Sequence, residues 1–265
     1  MTSIELANQI RIESLKMVHR AGASHIGGNL SQADILAVLY SGILNVDPAE
    51  AKHPNRDRFI LSKGWCAASL YAVLAIKGFF PVEELQTFCG DGSMLMGAAN
   101  HHVPGVEFST GSVGHGLSIG CGLALSGKKK NLPYRVVVLM SDGGMQEGSV
   151  WEAVQFAGHH KLDNLTLIID ENGLQAMGKT NDISSLHRLG PRLHDFGWTA
   201  ERVDGHDHDY LEAALSRRPD LKTPLCLMAQ TVKGKGVSFM ENDVAWHYKC
   251  PNAEQLAQAL KEVAA

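Results

Sequence analysis

Apolar residues recur at helical spacing from Ile4 through Ala7, Ile10, Ile12 and Leu15 to Val18, which predicts an opening helix to about Arg20 with Ser3 as its cap. A glycine-interrupted stretch with one histidine, Ala21 to Gly28, follows and reads as a loop. Helical signal returns over Gln32–Ser41 behind Ser31, over Cys66–Lys77, and again after Pro81, a proline of the first-turn type. Between them, 45–58 is polar and turn-rich, and Phe59-Ile60-Leu61 is a short strand candidate. Residues 89–116 carry many glycines and little regular pattern, and a long loop inside a compact chain is usually functional or disordered.

From residue 117 onward, helix and strand patterns alternate with short links. The predicted order is helix Leu117–Ser126, strand Arg135–Met140, a helix with a glycine-rich start, strand Leu165–Asp170 and helix Ser184–Asp195. It continues with strand Trp198–Val203, helix Asp207–Arg217 capped by Asp207, strand Leu225–Gln230, a loop from Thr231 to Pro251, and a last helix Ala253–Val263. Alternation of this kind predicts an α/β fold: a doubly wound parallel sheet with helices on both faces, as a single domain over 1–265. Ligands in such sheets bind beyond the carboxyl ends of the strands. No internal repeat interrupts the pattern.

Composition narrows the class. The chain has 265 residues, 45% hydrophobic and 20% charged, enough for a full core. Its formal net charge of −4 argues against a nucleic-acid partner, and Lys128-Lys129-Lys130 reads as a solvated loop. The five cysteines are scattered without a paired motif, so they read as reduced thiols in a cytoplasmic protein. The first residues lack the apolar core of a signal peptide, and no apolar run is long enough to span a bilayer, so no membrane partner is expected.

The chemistry concentrates in residues 141–178. Asp142 follows one strand run, Asn172 follows the next, and a helix with a glycine-rich start lies between them. An Asp after a strand is commonly a helix cap. Two oxygen-bearing side chains at neighbouring strand ends, with the carbonyl of Leu174, make a set suited to Mg2+ or Ca2+ and a diphosphate. Among the other histidines, His159 and His160 lack the four-residue spacing of a helical metal pair and read as packing residues. His206 and His208 flank the capping Asp207 and read as loop residues. No G-x-G-x-x-G follows the first strand, which argues against a nicotinamide enzyme.

At these residues the chain resembles transketolase. Ser141-Asp142-Gly143, Glu147 five residues on, Trp151-Glu152-Ala153, Leu162-Asp163-Asn164-Leu165 and Asn172 thirty residues after the Asp are similar to the thiamine diphosphate motif. The segment around His25, Pro104–Ser118, and Thr231–Lys249 resemble further transketolase loops, so the likeness spans the chain. It implies a thiamine diphosphate cofactor with Mg2+ or Ca2+ held by Asp142, Asn172 and the Leu174 carbonyl. It implies Gly143, Gly144 and His247 at the diphosphate, and Gly111, Val113 and Gly114 at the aminopyrimidine ring. It implies His25, His247 and Glu147 as the catalytic residues, with His25 at the donor sugar's oxygen and Glu147 as the link between two cofactor sites.

The length matches the first domain of a full transketolase. The resemblance therefore implies the N-terminal subunit of a split transketolase, transferring a two-carbon ketol unit from a ketose to an aldose or aldehyde. A C-terminal transketolase subunit with the pyrimidine-binding domain would supply the catalytic Glu, in an α2β2 heterotetramer. Ligands would be sugars, sugar phosphates or aldehydes.

Three departures stand out. Ser141 replaces the motif's first Gly. Ser62-Lys63-Gly64-Trp65 has Trp65 where the family has a histidine. Gly97-Ala98 stands where a Gly-His-Pro is usual, with His101 and His102 displaced by a few residues. An indole offers one donor and bulk where an imidazole moves a proton, so an altered donor substrate is expected. Two other readings remain open from sequence: the α chain of an α-keto acid dehydrogenase, and a non-catalytic cofactor-binding or regulatory subunit.

Overall fold

The computed structural model describes residues 1–217 and 222–264. Helix α1 spans Ser3–Ala21. Its cap is Thr2, one residue earlier than predicted: the Thr2 hydroxyl accepts from the Glu5 N–H, and the Glu5 carboxylate accepts from the Thr2 N–H at 2.7 Å. Ser3 is instead the first helical residue. Gly22, in the left-handed region at φ 59°, ends the helix.

The predicted loop 21–28 is only partly a loop. Helix α2, Ile26–Ser31, starts inside it and is wholly buried. Helix α3, Ala33–Val38, runs on into a wider π-type turn over Leu39–Ile43. Strand β1 (Arg58–Leu61) and helix α4 (Ala67–Ile76) follow. Residues 88–114 contain no helix or strand, as the sequence predicts.

The second half alternates as expected. Its elements are α5 (His115–Lys129), β2 (Val136–Ser141), α6 (Gly148–His159), β3 (Leu165–Glu171), α7 (Thr180–Ile183) and α8 (Leu189–Asp195). Strand β4 (Thr199–Asp204), helix α9 (His208–Ser216), β5 (Leu225–Gln230) and α10 (Ala253–Val263) complete the chain. Of the helix predicted over Ser184–Asp195 only Leu189–Asp195 is helical; the short α7 ends before it. Ser184 is extended at φ −154°, and Arg188 adopts φ 60°, so no helix runs through them.

The five strands form one sheet, ordered β1-β2-β3-β5-β4, with every neighbouring pair parallel. Strands buried on both faces read as continuous apolar runs, and β2 and β3 do. Val137, Leu139, Ile168 and Leu227 face a core built with α1, α3, α4, α9 and α10. Val136, Val138, Met140, Leu167 and Ile169 face a second core with α5, α6 and α8. These two cores are the two faces of a doubly wound sheet. The register pairs Ser141 with Asp170, so Asp142 and Asn172 emerge side by side at the carboxyl edge.

Candidate functional site

Asp142 is buried at that edge. One carboxylate oxygen accepts from the Gly143 N–H at 2.7 Å; the other accepts from the Gly173 N–H at 2.8 Å and the Thr180 hydroxyl at 2.9 Å. Burial and the neighbouring Asp170 charge push its carboxyl up to about 6. Asn172 accepts from the Leu174 N–H at 3.1 Å, and the Leu174 carbonyl accepts from the Lys233 ammonium at 3.2 Å. A carboxylate, an amide oxygen and a backbone carbonyl thus share one cavity wall with a cation already drawn to it.

Behind this wall lies a buried ion pair that the sequence reading missed. The Asp170 carboxylate accepts from Lys63, Ser31 and Thr231, and Lys63 also donates to the Gly28 carbonyl at 3.1 Å. Burial opposes both charges, but each outweighs it for the other: Asp170 is held below its ordinary range and Lys63 above its own. Among the described residues Lys233 makes no ion pair, and burial with the Lys63 charge nearby lowers its pKa against the opposing pull of Asp142 and Asp170. An ammonium in a cavity wall with no carboxylate bonded to it is suited to an anion.

His25 caps α2 at φ 69°, a left-handed conformation uncommon outside glycine and often found where geometry serves function. It is held there on both sides. Its N–H donates to the His247 carbonyl at 2.8 Å, and its own carbonyl accepts from the Asn29 side chain at 2.9 Å. The two imidazoles meet edge to face, 4.8 Å between centroids, and Trp65 stacks on His25 at 5.9 Å. Burial, then the Lys233 and Lys63 charges, hold His25 down at about 4; burial and the same neighbours hold His247 at about 3. Both rings are therefore neutral at neutral pH. Lys233 donates to His247 Nδ1 at 3.0 Å, which assigns the ring proton to Nε2.

One cavity of about 490 Å³ collects most of the predicted residues: His25, Asp142, Gly143, Glu147, Asn172, Leu174, His247 and Val113, together with Lys63, Lys233 and Trp65. Three glycines fall outside its lining. Gly144 packs inward on Met140, and Gly114, at φ 90°, packs on Glu147 with no room for a side chain. Gly111 lies beside Ala98. Elsewhere, Asp207 caps α9 as predicted, accepting from the Tyr210 N–H at 2.9 Å. His206 and His208 are more than loop residues: both bond the buried Asp34 carboxylate, which also pairs with Arg11. Among the described residues, no cluster of three His, Cys, Asp or Glu side chains is placed to hold a metal.

The donor set fits a diphosphate bound through a divalent cation. Hard oxygen donors stand at Asp142, Asn172 and Leu174, the buried Asp142 carboxyl makes no ion pair among the described residues, and Lys233 supplies positive charge for anionic oxygens. A parallel α/β sheet with a cation-and-diphosphate cradle at adjacent strand ends defines the class: a cofactor-binding domain of the thiamine diphosphate type.

Comparison gives the family. The description "Transketolase, thiamine diphosphate binding domain" matches residues 2–264, and the chain belongs to the transketolase family. It is 42% identical over 250 residues to an apulose-4-phosphate transketolase subunit of Phocaeicola vulgatus, covering 94% of this chain and 89% of that one. It is 37% identical over 259 residues to the 6-deoxy-6-sulfo-D-fructose transketolase subunit of a Clostridium species, covering 97% and 94%. The crystal structure of transketolase from Campylobacter jejuni superposes with a TM-score of 0.94 at 30% identity, over 99% of this chain but 42% of that one. The chain is thus the N-terminal, cofactor-binding part of a transketolase-like transferase, and ketol transfer is its chemistry.

Proposed function

We propose that this chain works as one of the two subunits of a two-chain transketolase. The observation that carries the proposal is the meeting of Asp142, Asn172, the Leu174 carbonyl, Lys233, His25 and His247 in one cavity. Relatives matched over nearly their whole length are named as transketolase subunits, which supports a partner chain.

Thiamine diphosphate, when bound, supplies the electron sink that lets a carbon–carbon bond next to a ketone break. Asp142, Asn172 and Leu174 would hold Mg2+ or Ca2+ against the diphosphate. Lys233, His247 and the backbone at Gly143 and Gly144 would hold its oxygens. Val113 in the cavity wall, with Gly111 and Gly114 next to it in the chain, would meet the aminopyrimidine ring, and Glu147 would link this site to a second one across a dimer. His25 takes and returns the proton of the donor hydroxyl, a task suited to a neutral imidazole. The C-terminal subunit supplies the Glu that activates the cofactor, in an α2β2 heterotetramer. The cysteines are free thiols, and no described helix is long and apolar enough to cross a membrane, in keeping with a cytoplasmic enzyme.

Calorimetry tests the cofactor half of this reading. Thiamine diphosphate binds with Mg2+ and loses at least ~100-fold in affinity in Asp142→Ala, beyond the ~10–100-fold typical of losing an outer-shell partner. Equal affinity in wild type and variant would contradict the assignment.

A further inference from the structure

Strand β5 ends at Gln230, and the chain then leaves the sheet toward Lys233. The Thr231 N–H still donates to the Glu171 carbonyl of β3 at 3.2 Å. The Val232 N–H donates instead to a side chain, to Nε2 of His206 at 2.8 Å. A backbone N–H can only donate, so Nε2 carries a lone pair and the ring proton sits on Nδ1. There it donates to the Asp34 carboxylate at 2.6 Å.

Asp34 is a firm anchor. It is buried on α3, and Arg11 of α1 and His208 of α9 donate to it as well, at 3.1 and 3.0 Å. The other nitrogen of His208 bonds the Ser3 hydroxyl at 2.8 Å. Burial opposes the Asp34 charge, but the two imidazoles and Arg11 hold the carboxyl below its ordinary range. One point of the fold thus gathers α1, α3 and α9, and the His206 ring carries it to the backbone next to Lys233.

Lys233 itself fits tightly. Its stem passes Gly27, where a Cβ would lie 3.0 Å from the Lys233 Cγ. Its ammonium ends between the Leu174 carbonyl and His247 Nδ1. On the far side of the residue, its carbonyl accepts from the Asn242 N–H at 2.9 Å. On the near side, the bond to His206 fixes the turn between Thr231, already tied to Asp170, and Lys233. Without it that turn is free to shift, and a shift of the backbone there moves the ammonium.

We propose that His206 is a positioning residue, which through the Val232 N–H holds the Lys233 ammonium where it meets a diphosphate oxygen. This rests on the reading of Lys233 as a diphosphate ligand. His206 lies outside the lining of the 490 Å³ cavity, so it acts through Lys233 and not on the cofactor. The competing role for the ring is to satisfy Asp34 alone, and its two bonds separate the two roles. Gln at 206 puts an amide oxygen where Nε2 stands and keeps the bond from Val232, but gives up the one to Asp34. Asn keeps a donor for Asp34 and falls short of Val232.

The test is calorimetry of the full chain with thiamine diphosphate and Mg2+. His206→Asn should lower the affinity by about tenfold, the lower end of the cost of losing an outer-shell partner. His206→Gln should bind close to wild type. Lys233→Met should lose at least as much as His206→Asn, and adding His206→Asn to it should change nothing further, because the group it places is gone. A loss in His206→Gln as large as in His206→Asn would assign the ring to Asp34 and overturn the inference. So would unchanged affinity in both, or losses that add in the double variant. Each of these leaves the diphosphate reading standing. Wild-type affinity in Lys233→Met would overturn Lys233 as a diphosphate ligand, and the inference with it.

Discussion

Asp142 ties the turn after β2 together and is also the carboxylate a cation would take. Its carboxyl is pushed up to about 6 from an ordinary 3.8, so folding favours the protonated form. The free chain therefore loses stability as pH rises through about 6, and a cation on the carboxylate restores it. Mg2+ with thiamine diphosphate should raise the Tm more at pH 8 than at pH 5; an equal or larger shift at pH 5 would contradict this. His25 and His247 have the opposite sign. Their pKa values lie below the ordinary 6.5, so their contribution is complete above that pH and is lost as pH falls toward about 4 and 3. Lys63 acts through its partner. Lys63→Met leaves Asp170 buried and unpaired, so urea unfolding should show a loss of about 3–5 kcal/mol; an unchanged midpoint would mean that Asp170 takes up a proton at little cost. Asp142 and Asn172 were legible in the sequence because each ends an apolar run and local order fixes their place. The Lys63–Asp170 pair was not, because its partners lie 107 residues apart. The left-handed backbone at His25 was equally hidden, since bonds to Asn29 and the distant His247 impose it.

The strands and long helices were legible because their patterns are strong and local. Strand β5 begins and ends where the pattern does, and β1 to β4 shift by a residue at their ends. The misses come where tertiary packing overrides propensity. Helix α2 forms from a glycine-rich stretch because it is wholly buried, and the break before α8 turns on the conformations of Ser184 and Arg188. Close packing also gives a sharp test of the second core. Helix α6 crosses the segment before β4 so closely that a Cβ on Gly158 would lie 1.7 Å from the Phe196 carbonyl oxygen. Gly158→Ala should cost about 1–3 kcal/mol, the usual range for overpacking, read as a lower urea midpoint. Full stability in that variant would show that the α6–β4 packing is looser than described.

The whole molecule presents the cation-and-diphosphate side of a transketolase site. Its cavity holds the cation-and-diphosphate donors and two neutral imidazoles, while this chain spans about two fifths of a full transketolase: 42% of the Campylobacter enzyme and 41% of human transketolase. The family was readable from the motif around Asp142 and three further segments, around His25, over Pro104–Ser118 and over Thr231–Lys249. A second cavity, also lined by His25 and Trp65, was not readable, because its wall joins Ala68, Phe88 and Ala98 from separate segments. What the sequence did show was that Trp65 and Gly97-Ala98 depart from the family, and these residues line that cavity. The most direct test of the account is ketol transfer from β-hydroxypyruvate to an aldehyde, measured with this chain alone and with a partner chain carrying the pyrimidine-binding domain. The account predicts no turnover by the single chain and turnover by the pair that requires thiamine diphosphate and Mg2+. Turnover by the single chain, or none by a pair that assembles and binds the cofactor, would contradict it.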